Sequence, residues 1–375
     1  MDRVDSNNTR PAATEPAATG PVATGPVGGL SDLLREAVAR GASDLHLTAG
    51  APPTVRVDGD LVPLESPVLT GEATRVMVEE LLDTGRLAEL DCSGESDLGY
   101  SAAGGRFRVN VYRRLGEFGI AIRSIPNSVP PLARLGLPAA VEALTRRPGG
   151  LVLVTGPTGS GKTTTLAAMI DSINERRPGH IISVEDPVEF VHRHKRCLVN
   201  QREVGSDTAS FAEAVRRALR QDPDVILIGE LRDPETISTA LTAAETGHLV
   251  FATLHARDCG QAADRVIDAF PPHQQSQARA QLAGSLQGVL AQRLVPRACG
   301  GRVAACEVLV ATPGVRNLLR EQKTHQLYSA MQTGAGHGMQ TLERALADLC
   351  RAGEVSLDEA ERWANRPDEL REAVG

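Results

Sequence analysis

The chain has 375 residues, 41% of them hydrophobic and 23% charged, enough apolar material for two folded domains. A net charge of −7 with only 3% aromatic residues weighs against a protein that binds nucleic acid through a basic, stacking surface. Six scattered cysteines, none in a CxxC pair, speak against a zinc ribbon and read as reduced thiols. Residues 1–29 repeat Ala, Pro, Thr and Gly with too little apolar surface to offset chain entropy, so a disordered tail is expected there. From Leu30, LSDLLREAVARG reads as an amphipathic helix stopped by Gly41. SDLHLTAG and TVRVDGDLVPL follow as strands, the second turning at Asp58-Gly59. Helical periodicity returns over residues 71–90, and DLGYSAAGGRFRVNVYRR and FGIAIRSI then alternate as antiparallel strands. Residues 30–125 are therefore expected to form an α+β domain.

PNSVPPLARLGLP, residues 126–138, reads as a linker and hinge. Beyond it LVLVTG, HIISVED, DVILIGE and HLVFATLH are short apolar strands alternating with helices, the pattern of a parallel sheet with helices on its faces. The fold class expected for residues 139–375 is α/β, mainly helical beyond Pro313. No apolar run reaches the roughly 18 residues of a membrane span, and the N-terminus lacks the basic and apolar blocks of a secretory signal. A cytoplasmic protein is expected, reaching a membrane through partners.

GPTGSGKT, residues 156–163, matches G-x-x-x-x-G-K-S/T between an apolar strand and a helix. Glycines let backbone N–H groups curl around phosphates, and the helix N-terminus adds partial positive charge. Gly156, Pro157, Thr158, Gly159, Ser160, Gly161, Lys162, Thr163 and Thr164 are the expected ATP-binding residues. Lys162 would meet the β- and γ-phosphates, and Thr163 would offer its hydroxyl to Mg²⁺. All but three of the 40 basic residues are Arg, the exceptions being Lys162, Lys195 and Lys323, so a lysine in this loop is informative.

Hydrolysis also needs a group to activate water and ligands for the metal. DVILIGELRD ends a strand in Glu230, on the sheet edge where open α/β sheets bind ligands. IISVEDPVEF ends a strand in Glu185, Asp186 and Glu189, which Pro187 should turn outward; that strand is expected beside the P-loop strand. His248 and His255 flank HLVFATL at opposite ends and should not share a metal; His255 is the candidate for sensing phosphate.

In this order, GPTGSGKTTT, VEDPVEF, LRQDPDVILIGELRD and TAAETGHLVFATLHA resemble the type II/IV secretion ATPase superfamily over residues 43–362. ASDLHL, RFRVN, CLVNQREV, GMQTLE and GVRNLLRE are similar to blocks of its pilus retraction branch, the PilT family, although Gly314-Val315 stands where Ala-Ile is common. The resemblance implies a RecA-like P-loop core preceded by a smaller, PAS-like α+β domain. It also implies a homo-hexamer with ATP and Mg²⁺ between the domains, working on an inner-membrane platform protein to retract type IV pili. By the same resemblance Glu189 is the base that activates water, and Glu230 helps hold the metal. Arg106, Arg108 and Arg123 match arginines that reach the phosphates as the domains close. Arg216 and Arg220 are candidates to face a neighbouring subunit, and Arg316, Asn317 and Arg320 to carry the output. An assembly or secretion ATPase of the same superfamily is the alternative; a nucleic-acid motor and a non-hydrolysing regulator are remoter ones.

Overall fold

The computed structural model describes residues 28–57, 59–103, 105–125 and 128–375. Most of the expected tail, Asp58 of the expected turn and the first two linker residues lie outside them. The chain divides into two compact units after Ser124.

The first unit opens with helix α1 (Leu30–Ala39), which buries Leu30, Leu33, Leu34 and Ala37 at helical spacing. Strands β1 (Asp44–Thr48), β2 (Thr54–Val57) and β3 (Asp60–Pro63) follow. The periodic stretch 71–90 is two helices, α2 (Gly71–Leu81) and α3 (Thr84–Ser93). Asp83 divides them because its carboxylate accepts from Arg86 N at 2.9 Å, so it caps a new helix. β4 (Glu95–Ala102), β5 (Gly105–Arg114) and β6 (Glu117–Ile125) complete a sheet of order β3-β2-β1-β6-β5-β4. Along β5, Phe107, Val109 and Val111 are buried, which places Arg106 and Arg108 on the opposite face.

The second unit carries a seven-stranded sheet of order β13-β12-β7-β11-β10-β8-β9. Helix α4 (Ala139–Leu144) leads into β7 (Gly150–Thr155), every residue of which is buried, and then α5 (Lys162–Arg176). β8 (Gly179–Glu185) and β9 (Cys197–Glu203) precede α6 (Phe211–Ala218). β10 (Val225–Ile228), α7 (Pro234–Glu245), β11 (Leu249–Leu254), α8 (Cys259–Asp268) and α9 (Pro272–Ser285) continue the alternation. β7, β8, β9, β10 and β11 pair in parallel, so the connections cross over, by helices except between β8 and β9, where residues 186–196 form a loop. β12 (Leu286–Pro296) adds a sixth parallel strand beside β7, and β13 (Arg302–Val310) pairs with β12 antiparallel. The expected α/β architecture is present, with β9, β12 and β13 added to the four strands read from sequence.

The rest is helical: α10 (Pro313–Arg320), α11 (Leu327–Thr333), α12 (Leu342–Arg351), α13 (Leu357–Trp363) and α14 (Pro367–Val374). Buried Glu343 fastens this region, accepting from Tyr328 Oη (3.1 Å) and from Asn365 N and Arg366 N (3.0 Å each).

Glu307 on β13 is 3% exposed and caps α8 by accepting from Cys259 N at 2.7 Å. Burial, aided by repulsion from Asp258 and Glu343, pushes its carboxyl up to about 7. The folded chain thus keeps a proton that the unfolded chain releases near its ordinary value of 4.5. The stability this supplies is complete below that value and is lost as pH rises through about 7. Glu307→Gln keeps the acceptor oxygen and removes the ionisation. It should raise stability at pH 8 by about 1–3 kcal/mol and flatten the slope between pH 5 and 8 in thermal melts. An unchanged slope would show that Glu307 is not the titrating group.

Candidate functional site

Parallel pairing sets the strand ends level. Thr155 of β7 lies opposite Leu254 of β11, and Ile228 of β10 opposite Ala252 of β11 and Val184 of β8. The residues that follow each strand therefore share one edge of the sheet. Hydrogen bonds stitch these ends together. Thr155 Oγ1 donates to Leu254 O (3.1 Å) and accepts from Ala256 N (2.8 Å), tying the P-loop to the segment of His255. Thr253 Oγ1 donates to Gly229 O, and Leu231 N to Thr253 O at 3.0 Å, tying β11 to the segment of Glu230. Gly229 N donates to Val184 O at 2.7 Å.

The loop 156–161 turns through three left-handed glycines, Gly156, Gly159 and Gly161, with φ of 144°, 76° and 87°. At Gly156 a Cβ would come within 2.3 Å of Gln292 O, so no larger residue fits. Between Thr158 and Gly161, only the N–H of Ser160 is engaged among the described residues, with Pro157 O at 3.2 Å. The others are available to a ligand. The Ser160 hydroxyl is buried with no partner among the described residues.

Lys162 opens α5, whose first turn contains no acid. A cation at a helix N-terminus opposes the helix dipole by about 0.3–1 kcal/mol, which a bound anion would reverse. Its ammonium donates to Gly156 O (2.9 Å) and Pro157 O (3.0 Å), folded over the loop it would share with phosphates. Burial lowers its pKa, opposed by the charges of Glu230 and then Glu189. Glu189 and Glu230, 41 residues apart in sequence, thus both lie near enough to Lys162 for their charge to be felt there. Thr163 and Thr164 follow in the first turn, half-buried.

Glu230 is 19% exposed and paired with Arg232 at 2.7 Å and with His255 Nε2 at 3.2 Å. His248 sits at the other end of β11, where Nδ1 lies 3.0 Å from Ala243 O, so the two histidines are separated as expected. An open cavity of about 430 Å³ beside the loop is lined by Gly156, Pro157, His255, Arg257, Arg265, Arg293 and Trp363, among others. The glycine cradle, the free N–H groups and Lys162 fit the phosphates of a nucleotide, and the Thr163 hydroxyl with the Glu230 carboxylate suits Mg²⁺.

Two expectations about the acidic segment are corrected. β8 is not beside β7: β11 and β10 lie between them. Nor do all three acids turn outward. Asp186 is exposed and Glu189 half-buried, four residues past the end of β8, but Glu185 is buried. Glu185 accepts from Ser183 Oγ (2.6 Å) and Gln201 Nε2 (3.1 Å), and burial raises its pKa. It anchors the segment from beneath. Gln201 also donates to Phe190 O (2.8 Å) and accepts from His192 N (2.7 Å), while Glu203 accepts from Val188 N (3.1 Å). These two residues of β9 hold the loop that presents Glu189. Their signal was the block CLVNQREV, which carried a likeness without a role.

Among the remaining expected residues, Arg123 pairs with Asp44 at 2.9 Å in the first unit. Burial acts upward on Asp44, but the bond and charge of Arg123 prevail and hold its carboxyl below the usual range. Arg106 donates to Ser101 Oγ at 3.0 Å, and Arg108 stands 4.0 Å from Asp97. Arg216 pairs with Glu235 on α7. Arg316 donates to Ala283 O (2.7 Å) and Ala311 O (3.2 Å) and so braces α10, whereas Asn317 and Arg320 are exposed. Arg316 is therefore read as structural.

The family model for type II/IV secretion system protein matches residues 25–343. The chain is 47% identical over 340 residues to the type IV pilus retractation ATPase PilT of Pseudomonas aeruginosa, covering 90% of this chain and 99% of that one. It is 44% identical to a twitching motility protein of Neisseria gonorrhoeae, covering 90% and 91%. The crystal structure of the pilus retraction motor PilT with bound ADP superposes with a TM-score of 0.85 at 46% identity, over 92% of this chain and 99% of that one.

Proposed function

The chain belongs to the type II/IV secretion system protein family, and we propose that it is a motor whose ATP hydrolysis drives retraction of type IV pili. It is a nucleotide-binding ATPase of that family. The observation that carries the reading is the glycine loop whose free N–H groups and Lys162 stand at the same sheet edge as Glu230 and His255.

The loop N–H groups and Lys162 hold the phosphates of ATP. Glu189 takes a proton from a water as its oxygen bonds to the γ-phosphorus and the bond to the β–γ bridging oxygen breaks, giving ADP and phosphate. Mg²⁺, held by Thr163 and Glu230, would supply charge neutralisation on the β- and γ-oxygens. His255, 3.2 Å from Glu230, reports the state of the phosphates to the strand β11 that ends just before it. Arg106, Arg108 and Arg123 are assigned to stabilising charge on the transferred phosphoryl group, so replacing any of them should lower kcat.

The protein works in the cytoplasm as a homo-hexamer at the inner face of the membrane, through an inner-membrane platform protein and without direct nucleic-acid contact. No helix among the described residues is long and apolar enough to cross a membrane. Light scattering should give a mass near six times 39.7 kDa. The double substitution of Asn317 and Arg320 by alanine should leave that mass and the hydrolysis rate unchanged while surface pili accumulate. Deleting the gene should also leave excess, non-retracting pili. Loss of pili on deletion would instead make it an assembly motor.

A further inference from the structure

Gln292 belongs to none of the motifs, yet it is 3% exposed and makes one hydrogen bond to the phosphate loop and one to the helix that follows it. Its Nε2 donates to Ser160 O at 2.8 Å, and its Oε1 accepts from Thr165 Oγ1 at 2.8 Å in the first turn of α5. The same amide thus grips the loop on one side and the helix on the other. Its backbone oxygen stands 2.3 Å from where a Cβ on Gly156 would lie, and its Nε2 2.8 Å from where one on Gly161 would lie. Gln292 sits on β12, next to the P-loop strand, so the sheet itself delivers this side chain beneath the loop.

A peptide plane directs its C=O and N–H in opposite senses. Because Ser160 O is drawn to Gln292, the N–H of Gly161 in the same peptide points away from it, to the open side of the loop. Gly161 has φ of 87° and no Cβ, so nothing intrinsic to that residue prevents the peptide from turning over. If it did, a carbonyl oxygen would replace an N–H in the anion cradle. Carbonyl against phosphate repels where N–H attracts.

We propose that Gln292 is a positioning residue that locks the Ser160–Gly161 peptide with its N–H toward the nucleotide phosphates, so that the cradle exists before the ligand arrives. This rests on the P-loop reading above. A preformed cradle spares the ligand the cost of ordering it, so the effect falls on affinity for phosphate and much less on turnover at saturation.

The test is ADP binding by calorimetry on the full chain, with kcat and KM for ATP. Gln292→Leu leaves Ser160 O without its donor and should weaken ADP binding about tenfold or more, raise KM similarly and change kcat by less than about threefold. Thr165→Val keeps the Ser160 contact and should cost less than about threefold. Gln292→Glu removes the donor when ionised and restores it when protonated, so its ADP affinity relative to wild type should recover as pH falls from 8 to 6. Read on protein whose circular dichroism stays native from pH 6 to 8, this profile decides the matter even if the leucine variant does not fold, because a buried carboxylate could also unfold the chain as pH rises. ADP affinity within threefold of wild type for Gln292→Leu, or a flat relative profile for Gln292→Glu, overturns the proposal. A wild-type chain that binds no ADP overturns the P-loop reading and this one together, so the two failures are distinguishable.

Discussion

Lys162→Ala should abolish nucleotide binding, with ATP affinity falling at least about a hundredfold, the scale of a lost charge-assisted hydrogen bond in a partly buried site. The ammonium is half-buried and folded over Gly156 O and Pro157 O, in the field of the Glu230 and Glu189 carboxylates. Removing it leaves Glu230 and Glu189 to repel the phosphates. No other lysine can substitute: Lys195 is bound to Asp171 and Glu175 at 2.8 Å each, and Lys323 to Glu321 at 2.7 Å. Arg232 is engaged with Glu230. Fluorescent-nucleotide titration checks the expectation, and micromolar ATP binding by the variant would remove Lys162 from the phosphate site.

The second large effect is on chemistry. Glu189→Gln should retain ATP binding while turnover falls by about 10²–10⁴, the usual contribution of a general base. Burial and bonding single out this acid. Glu185 is enclosed by Ser183 and Gln201, and Glu230 is shared by Arg232 and His255. Glu189 is half-buried, without an ion pair among the described residues, and its loop is held from below by Gln201 and Glu203. Single-turnover and steady-state rates for Glu189→Gln and Glu230→Gln separate the two roles. A full stop in Glu230→Gln with normal turnover in Glu189→Gln would reverse them.

Much of this site was legible because its parts are local. The phosphate loop needs a strand, glycines that accept positive φ, and a helix start, all within contiguous residues 150–165. Glu230 and His255 were legible because each follows a short apolar run that ends at the same sheet edge. Sheet order was not legible, since crossover connections leave no trace in local periodicity, and the strand of Glu185 was therefore placed beside β7. The buried role of Glu185 escaped for a related reason. Its partner Gln201 comes from β9, whose mixed CLVNQRE pattern is half polar and does not announce a strand. Gln292 is the extreme case: it lies 127 residues from Thr165, and only the pairing of β12 with β7 brings them together.

Steady-state phosphate release by the full chain in Mg²⁺ and ATP, measured beside Lys162→Ala, tests hydrolysis at this loop most directly. Many phosphates released per wild-type chain and none above background from Lys162→Ala is the predicted result. Equal release by the two proteins, or none by wild type, would contradict it.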